Sequence, residues 1–286
     1  CIRDRLRNRA MNLLSETKQR LNFINAKLVD LQECLELGSL TKDCRHYLQD
    51  EISKTKKNIQ YYSELLEVLE ERKEWGLIGV PVLILGESGS GKSTSMRNFE
   101  KEEVGIFNVA SKPLPFRKKL NKIDKSNYQT IIKCLSKPTL KTYVIDDSQY
   151  LMAFEMFDRA KETGYGKFTD VALNFRNLIQ FIITGVPDDV IVYFLHHSEQ
   201  TETGKIKAKT SGKMLDNQLT VEGLFSIVLL ATTDGQTHKF ITQSDGYTTC
   251  KSPMDMFPLE MDNDLKEVDK TIREYYELDK NESEDK

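Results

Sequence analysis

The stretch "GVPVLILGESGSGKST", residues 79–94, runs from an apolar segment into a glycine-rich turn and then into a lysine followed by hydroxyl residues. Val80–Leu85 has the length and apolar content of a strand buried on both faces. Gly86 to Ser93 fits GxxxxGK[ST] at every position, and "KSTSMRNFEK" can open a helix directly behind it. Glycines let the backbone curl until its N–H groups point at phosphate oxygens, and a helix N-terminus adds partial positive charge. The candidate nucleotide-binding set is therefore Gly86, Glu87, Ser88, Gly89, Ser90, Gly91, Lys92, Ser93 and Thr94. Lys92 is expected to reach the β- and γ-phosphates of ATP, and the Ser93 hydroxyl to ligate Mg²⁺.

Working outward, "TYVIDDSQYL", residues 142–151, delivers Asp146 and Asp147 to the carboxyl end of a second apolar strand. Ligands of open α/β sheets bind at that edge. Asp146 is the candidate to hold Mg²⁺, mostly through water, and Asp147 to orient or deprotonate an attacking water, with Glu199 as the rival base. Strands are expected at 80–86, 104–109, 141–147, 189–196, 223–231 and 238–243, and helices at 91–100, 126–136, 149–163 and 168–184. Strands alternating with helices predict an α/β core with a mostly parallel sheet. "TTDGQT", residues 232–237, predicts a tight turn and a C-terminal β-hairpin.

Ahead of this core, Leu14, Thr17, Leu21, Ile24, Leu28, Leu31 and Leu35 form one heptad stripe, and Leu48, Ile52, Thr55, Ile59, Tyr62, Leu66 and Leu69 a second. "GSLT" at 38–41 separates them, with Gly38 suited to end a helix and Ser39 or Thr41 to cap the next. The pattern predicts an antiparallel helical hairpin, a coiled-coil arm over residues 1–75 that can oligomerise or dock a protein partner. The core is expected to span 76–264, and residues 265–286 to form a C-terminal helix, near 262–278, followed by a disordered acidic tail.

The 286 residues carry a net charge of −3, which gives no global reason to expect nucleic acid. No apolar run is long enough to span a membrane. The opening "CIRDRLRNRAMNLL" lacks the apolar region of a signal peptide and an initiating Met, so the chain is expected to be a fragment or to start at Met11. Five scattered cysteines without CxxC spacing suggest reduced thiols in a cytosolic setting, although Cys34 and Cys44 flank one turn and are candidates for proximity.

His196 and His197 end the apolar run "VYFLHH", residues 192–197. A zinc site would need a third ligand, and the other histidines are His46 in the arm and His238 in the hairpin. Beyond them Lys205, Lys207, Lys209 and Lys213 alternate with small polar residues, a composition suited to a phosphate backbone. A second basic stretch comprises Lys112, Arg117, Lys118, Lys119, Lys122, Lys125, Lys133, Lys137 and Lys141, opposed within the stretch only by Asp124. Phe116 and Tyr128 within it are candidate base-stacking surfaces, though packing is the commoner fate of such rings.

The order of phosphate loop, "NVASKPLPFR", "VIDDSQYLM", "GYGKFTDVALNF", "FLHHSE", "KTSGKMLDNQLTVEGLFSIVL" and "FITQSDGYTTCKSPMDMF" resembles phage-encoded RecA-like P-loop ATPases, some of them single-strand recombination factors. The resemblance covers residues 78–264 and rests chiefly on "GKMLD", "EGLF" and "KSPM". It implies a RecA-like P-loop NTPase core, with an additional strand between the loop strand and the Asp146 strand. The polar tip of that strand would sense the γ-phosphate, His197 ahead of His196. It further implies a DNA-contacting loop from His197 to Met214, Lys251 reaching the ATP of a neighbouring subunit, and a homo-oligomeric ring or filament in the cytoplasm of an infected or lysogenic bacterial host. One departure stands out: such proteins carry a catalytic Glu after the second core strand, and "GIFNVASKPLP" has none. An ATP-dependent assembly protein that works through the arm without DNA, and a non-hydrolysing nucleotide-binding module, are the rival readings.

Overall fold

The computed structural model describes residues 2–37, 40–71, 79–163, 166–210 and 220–279. The chain divides into two compact units, residues 1–77 and 78–286, two residues later than the expected boundary. The C-terminal helix belongs to the second unit.

The first unit is a helical hairpin of α1 (Ile2–Glu36) and α2 (Lys42–Glu71). Of the two heptad stripes, Thr17, Ile24, Ile52, Thr55 and Tyr62 are buried, joined by Tyr61 and Leu65, which the stripe did not include. Ion pairs Lys18–Glu70 (2.7 Å) and Lys27–Glu51 (3.7 Å) link the early part of one helix to the late part of the other, as an antiparallel pair requires. The Thr41 hydroxyl caps α2 by accepting from the Cys44 amide at 3.3 Å. Gly38 and Ser39, and the side chains of Leu14 and Leu69, lie outside the described residues. Cys34 and Cys44 are free, exposed thiols.

The second unit is built on a nine-stranded sheet: β1 (Val80–Gly86), β2 (Val104–Asn108), β3 (Asn121–Asp124), β4 (Thr142–Asp146), β5 (Ile191–Gln200), β6 (Ile206–Ala208), β7 (Ile227–Thr233), β8 (His238–Ile241) and β9 (Glu260–Asp262). The order is β3-β2-β4-β5-β1-β7-β8-β9, with β6 paired to the far end of β5. From β3 to β7 all pairings are parallel, and β8, β9 and β6 are antiparallel additions. Strand β5 therefore lies between β1 and β4, as the resemblance implies. The β7–β8 hairpin forms at Asp234-Gly235, where the Asp234 carboxylate accepts from the amides of Gln236 and Thr237 and Gly235 has φ 92°.

Alternation along the strands sends Val82, Ile84, Ile106, Val144, Tyr193 and Leu195 to one face. There they meet Met96 and Phe99 from the segment after the glycine-rich turn, and Leu265, Val268 and Ile272 of the last helix. The opposite face is covered by α5 (Gly166–Gly185), whose Phe175 ring packs on Phe194 at 6.1 Å. The helices α3 (Tyr128–Ser136) and α4 (Tyr150–Asp158) complete the crossovers, and α3 is capped by Asn127, which accepts from the Thr130 amide.

Several expectations change; among them, the strand expected at 223–231 starts at Ile227 behind a 3₁₀ turn, Val221–Leu224, and the helix expected at 149–163 ends at Asp158. The helix expected at 91–100 is a single 3₁₀ segment, Ser93–Asn98. Its hydroxyl-rich sequence competes with the backbone: the Ser95 hydroxyl donates to the Lys92 carbonyl at 2.6 Å, and the Ser95 amide is shared between Gly91 and Lys92. Strand β5 runs four residues beyond its apolar part, because β6 pairs with Ser198–Gln200. The edge strands β3 and β9 were not expected, since their residues are mostly exposed and show no alternation. The last helix, α6 (Leu265–Tyr276), is no separate region, because its apolar stripe is part of the core.

What locks α6 down is a buried carboxylate. Asp269 accepts from Thr142 Oγ1 and Tyr193 Oη (3.0 Å each) and from Arg273 Nε (2.7 Å). Arg273 in turn donates to the carbonyls of Lys141 and Asp189 at the amino ends of β4 and β5. Truncating one member of such a set leaves its partners buried and unpaired. Asp269→Ala is thus expected to cost about 3 kcal/mol in urea unfolding; a loss below about 1 kcal/mol would show that the helix is held by its apolar stripe alone.

Candidate functional site

Four parallel strands end at one edge of the sheet, and the chemistry-bearing residues follow from where they end. In register, His197 lies opposite Gly86, and Asn108 opposite Asp146. Leaving β1, Gly89 and Gly91 take φ values of +85° and +94°, in the region that side chains disfavour. A Cβ on Gly86 would stand 2.4 Å from Ser90 Oγ and 2.9 Å from the Ala231 carbonyl, so the loop can leave the sheet here only on a glycine. Glu87, Ser88 and Gly89 are exposed at the crest of the loop, whereas Ser90, Gly91 and Lys92 are buried and Ser93 and Thr94 half-buried.

Lys92 folds back under that crest, and its ammonium donates to the carbonyls of Gly86 and Glu87 at 2.7 Å each. Burial pulls its pKa down to about 8, against the opposing attraction of Asp147 and Asp146. The neighbouring Ser93 hydroxyl donates to Asp146 Oδ1 at 2.8 Å. Burial pushes the Asp146 carboxyl above the usual carboxylate range, with the Ser93 hydrogen bond opposing.

Asp147 follows with φ 60°, a left-handed residue that turns its side chain away from that of Asp146. Asp147 Oδ1 lies 3.2 Å from His197 Nε2, and Oδ2 accepts from Lys112 Nζ at 2.7 Å. Burial acts to raise its pKa, but the hydrogen bonds from His197 and Lys112 outweigh it and hold the carboxyl low. Tyr150 completes the cluster: its ring meets the His197 ring edge-on at 5.9 Å and lies 5.1 Å from the Lys112 ammonium.

The two histidines separate, as alternation along β5 demands. His197 faces Asp147, while His196 is fully buried against Phe175. His196 Nε2 sits 2.8 Å from the Lys209 carbonyl, which can only accept, so Nε2 carries the proton and Nδ1 accepts from Ser148 Oγ at 2.9 Å. Both ring nitrogens are thus engaged within the protein. Of the two sensor candidates only His197 reaches the acidic pair. Among the described residues no group of three or more His, Cys, Asp or Glu side chains is placed to hold a metal ion.

The segment after β5 is ordered by pairing through residue 208. Lys207 pairs with Glu199 at 3.0 Å, which occupies the rival base, and the Lys209 amide donates to the His197 carbonyl at 2.9 Å. Lys205 closes the turn, its carbonyl accepting from the Thr201 amide and its amide donating to the Thr201 hydroxyl, while Lys213 and the rest of 211–219 lie outside the described residues. Lys251 is bridged to Val228, itself opposite Leu83, three residues before the glycine-rich loop begins. It is half-buried.

The long basic stretch is not one surface. Lys112 lies at the carboxyl edge of the sheet and Lys141 at the amino edge, where it pairs with Asp189 at 3.7 Å. Lys118 pairs with Glu100 and Lys122 with Asp124, so the fold supplies three carboxylates, Glu100, Asp147 and Asp189, that the local sequence did not. Arg117, Lys119, Lys125, Lys133 and Lys137 remain exposed. Phe116 is half-buried and packs against the core. Sequence reading placed Lys112 only in a charge run; its site role depends on a turn at Ser111 (φ 57°) that local pattern does not show.

These residues fit a Mg²⁺-bound polyphosphate. The loop is a glycine cradle, Ser90 Oγ is a buried polar atom without a partner, and a desolvated ammonium stands beside a hydroxyl–carboxylate pair. Ser93 and Asp146 are the pair suited to the metal, since a hard cation prefers oxygen ligands. A scan against models of known protein families and a search of curated proteins each gave no match to this chain.

The burial of neutral His196 has a measurable consequence. Its pKa of about 4 lies below the ordinary 6.5, so the stability it contributes is complete above pH 6.5 and is lost as pH falls toward 4. Between pH 7 and 5 the wild type is expected to lose about 2 kcal/mol more than His196→Gln, read from urea unfolding at both pH values. Parallel pH dependence in the two proteins would contradict this assignment.

Proposed function

We propose that the chain binds Mg²⁺-ATP and hydrolyses it, as a RecA-like ATPase of phage-type recombination or replication whose nucleotide state controls its grip on single-stranded DNA. The observation that carries the ATP part is the convergence of Lys92, Ser93 and Asp146 at the carboxyl edge of β1 and β4, with a single strand between them. In this reading Lys92 exchanges its two loop carbonyls for β- and γ-phosphate oxygens, a better match for a desolvated cation. The loop amides orient the phosphate chain, and Ser93 and Asp146 present oxygens to Mg²⁺, which neutralises phosphate charge when bound.

Coupling to DNA draws support from β5. His197, beside Asp147, and His196 are both hydrogen-bonded to Lys209, the carbonyl of His197 to its amide and the ring of His196 to its carbonyl. In this reading a shift at the phosphate end of β5 passes to the lysine-bearing segment through these bonds. The exposed Arg117, Lys119 and Lys125 add positive charge on the same unit. A second reading, assembly through the helical arm without DNA, is favoured by the exposed Phe23, Val29, Leu37 and Tyr47 on that hairpin.

ATP turnover with and without single-stranded DNA separates the two. The first reading expects stimulation by DNA that weakens steeply as salt rises. Turnover that DNA leaves unchanged at low salt favours the second. In either case Lys92→Ala is expected to reduce turnover by at least about 100-fold, and near-normal kinetics in that variant would refute the phosphate site.

A further inference from the structure

We propose that Lys112 is a second cation on the γ-phosphate, at the mouth of the site opposite Lys92, and that Asp147 is its positioning residue and not a general base. The inference rests on the nucleotide reading above and adds a cation that approaches from the solvent side.

The placement of Lys112 is built, not incidental. At the end of β2 the Asn108 amide donates to the Lys112 carbonyl at 2.7 Å and to Asp124 Oδ1 at 2.6 Å. Between them Ser111 turns the chain at φ 57°, and its hydroxyl accepts from the Lys125 amide at 2.7 Å. These bonds fix the loop so that the Lys112 side chain comes back across the sheet edge to Asp147. The side chain of its partner Asp147 is 10% exposed, whereas the Lys112 side chain is 56% exposed. The ammonium therefore stands at the mouth of the site, between solvent and the buried acidic pair. The ammonium stands over the Tyr150 ring, 5.1 Å from its centroid, and gains a cation–π contact there. Lys92 on the inside and Lys112 at the mouth thus bracket Asp146 and Asp147.

The same geometry argues against Asp147 as the base. Both its oxygens are occupied, Oδ1 by His197 and Oδ2 by Lys112. A carboxylate so engaged serves as an anchor, with its Oδ2 fixing the Lys112 ammonium at the edge of the site. In hydrolysis a water oxygen bonds to the γ-phosphorus while the bond from that phosphorus to the β,γ-bridging oxygen breaks. The electron pair of the broken bond stays on ADP; one proton of the water remains on inorganic phosphate and the other passes to solvent. Such reactions run through a loose transition state in which positioning and charge stabilisation outweigh proton abstraction. A cation on the γ-phosphoryl oxygens serves that state, and it does so in a chain without a glutamate after β2, where Asn108 ends the strand.

The test uses the full chain, with Mg-ADP and Mg-ATPγS as probes and steady-state ATP turnover. Lys112→Ala is expected to lower kcat by about 100-fold and to leave Mg-ADP affinity within about twofold, while the preference for Mg-ATPγS over Mg-ADP falls by about tenfold. Lys112→Arg should regain part of the rate. Because Asp147 works through Lys112, Lys112→Ala/Asp147→Asn is expected to be no slower than Lys112→Ala alone. A kcat for Lys112→Ala within about threefold of wild type, equal weakening of both nucleotides, or multiplicative losses in the double variant would each overturn the proposal. A wild type that binds Mg-nucleotide while Lys112→Ala is unaffected removes this inference alone. A wild type that binds none removes the nucleotide reading with it.

Discussion

An ammonium buried against two carbonyls of its own loop is the constraint around which the second unit is arranged. Lys92 has given up water, and the two oxygens of Gly86 and Glu87 do not fully replace it, as its lowered pKa reports. A desolvated cation in that position needs negative charge nearby. The sheet order supplies it, since β4 ends within reach and brings Asp146 and Asp147 alongside. The strand between β1 and β4 then determines which further groups can attend the pair. It contributes His197 to the site and His196 to the core, one residue apart.

The opposite edge of the sheet shows why the site edge can carry strain. At the amino ends of β4 and β5, Asp269 and Arg273 satisfy the hydroxyls of Thr142 and Tyr193 and the carbonyls of Lys141 and Asp189. One face of the sheet is sealed by α6 and the other by α5. With both faces dry and the lower edge tied, left-handed residues such as Asp147 and Ser111 can be held where the chemistry needs them.

The strands that the sequence made legible are the ones buried on both sides. Val80–Leu85, Tyr143–Ile145 and Val190–Leu195 are continuous apolar runs, and a run of that length has few other places to go. The glycine-rich loop was equally plain, because each glycine answers a backbone requirement visible in φ or in a clash. By contrast β3, β6 and β9 owe their existence to a neighbouring strand with free edge groups, and their own residues carry little periodic signal. The loss of the helix after Ser93 came from side-chain hydroxyls competing for backbone carbonyls, which the motif alone conceals. Lys112 illustrates the limit for site residues: in sequence it is one of nine basic residues, and only a turn anchored by Asn108 sets it apart. Lys251, expected to reach the ATP of a neighbouring subunit, is bridged to Val228 near the start of β7.

Calorimetric titration of the full chain with ATP, in Mg²⁺ and again with excess chelator, tests directly whether Lys92 and its surroundings hold a Mg²⁺-bound triphosphate. Saturable binding of one nucleotide per chain, weakened when Mg²⁺ is removed, is expected. Absence of saturable binding at millimolar ATP with Mg²⁺ present, or binding indifferent to the metal, would contradict it.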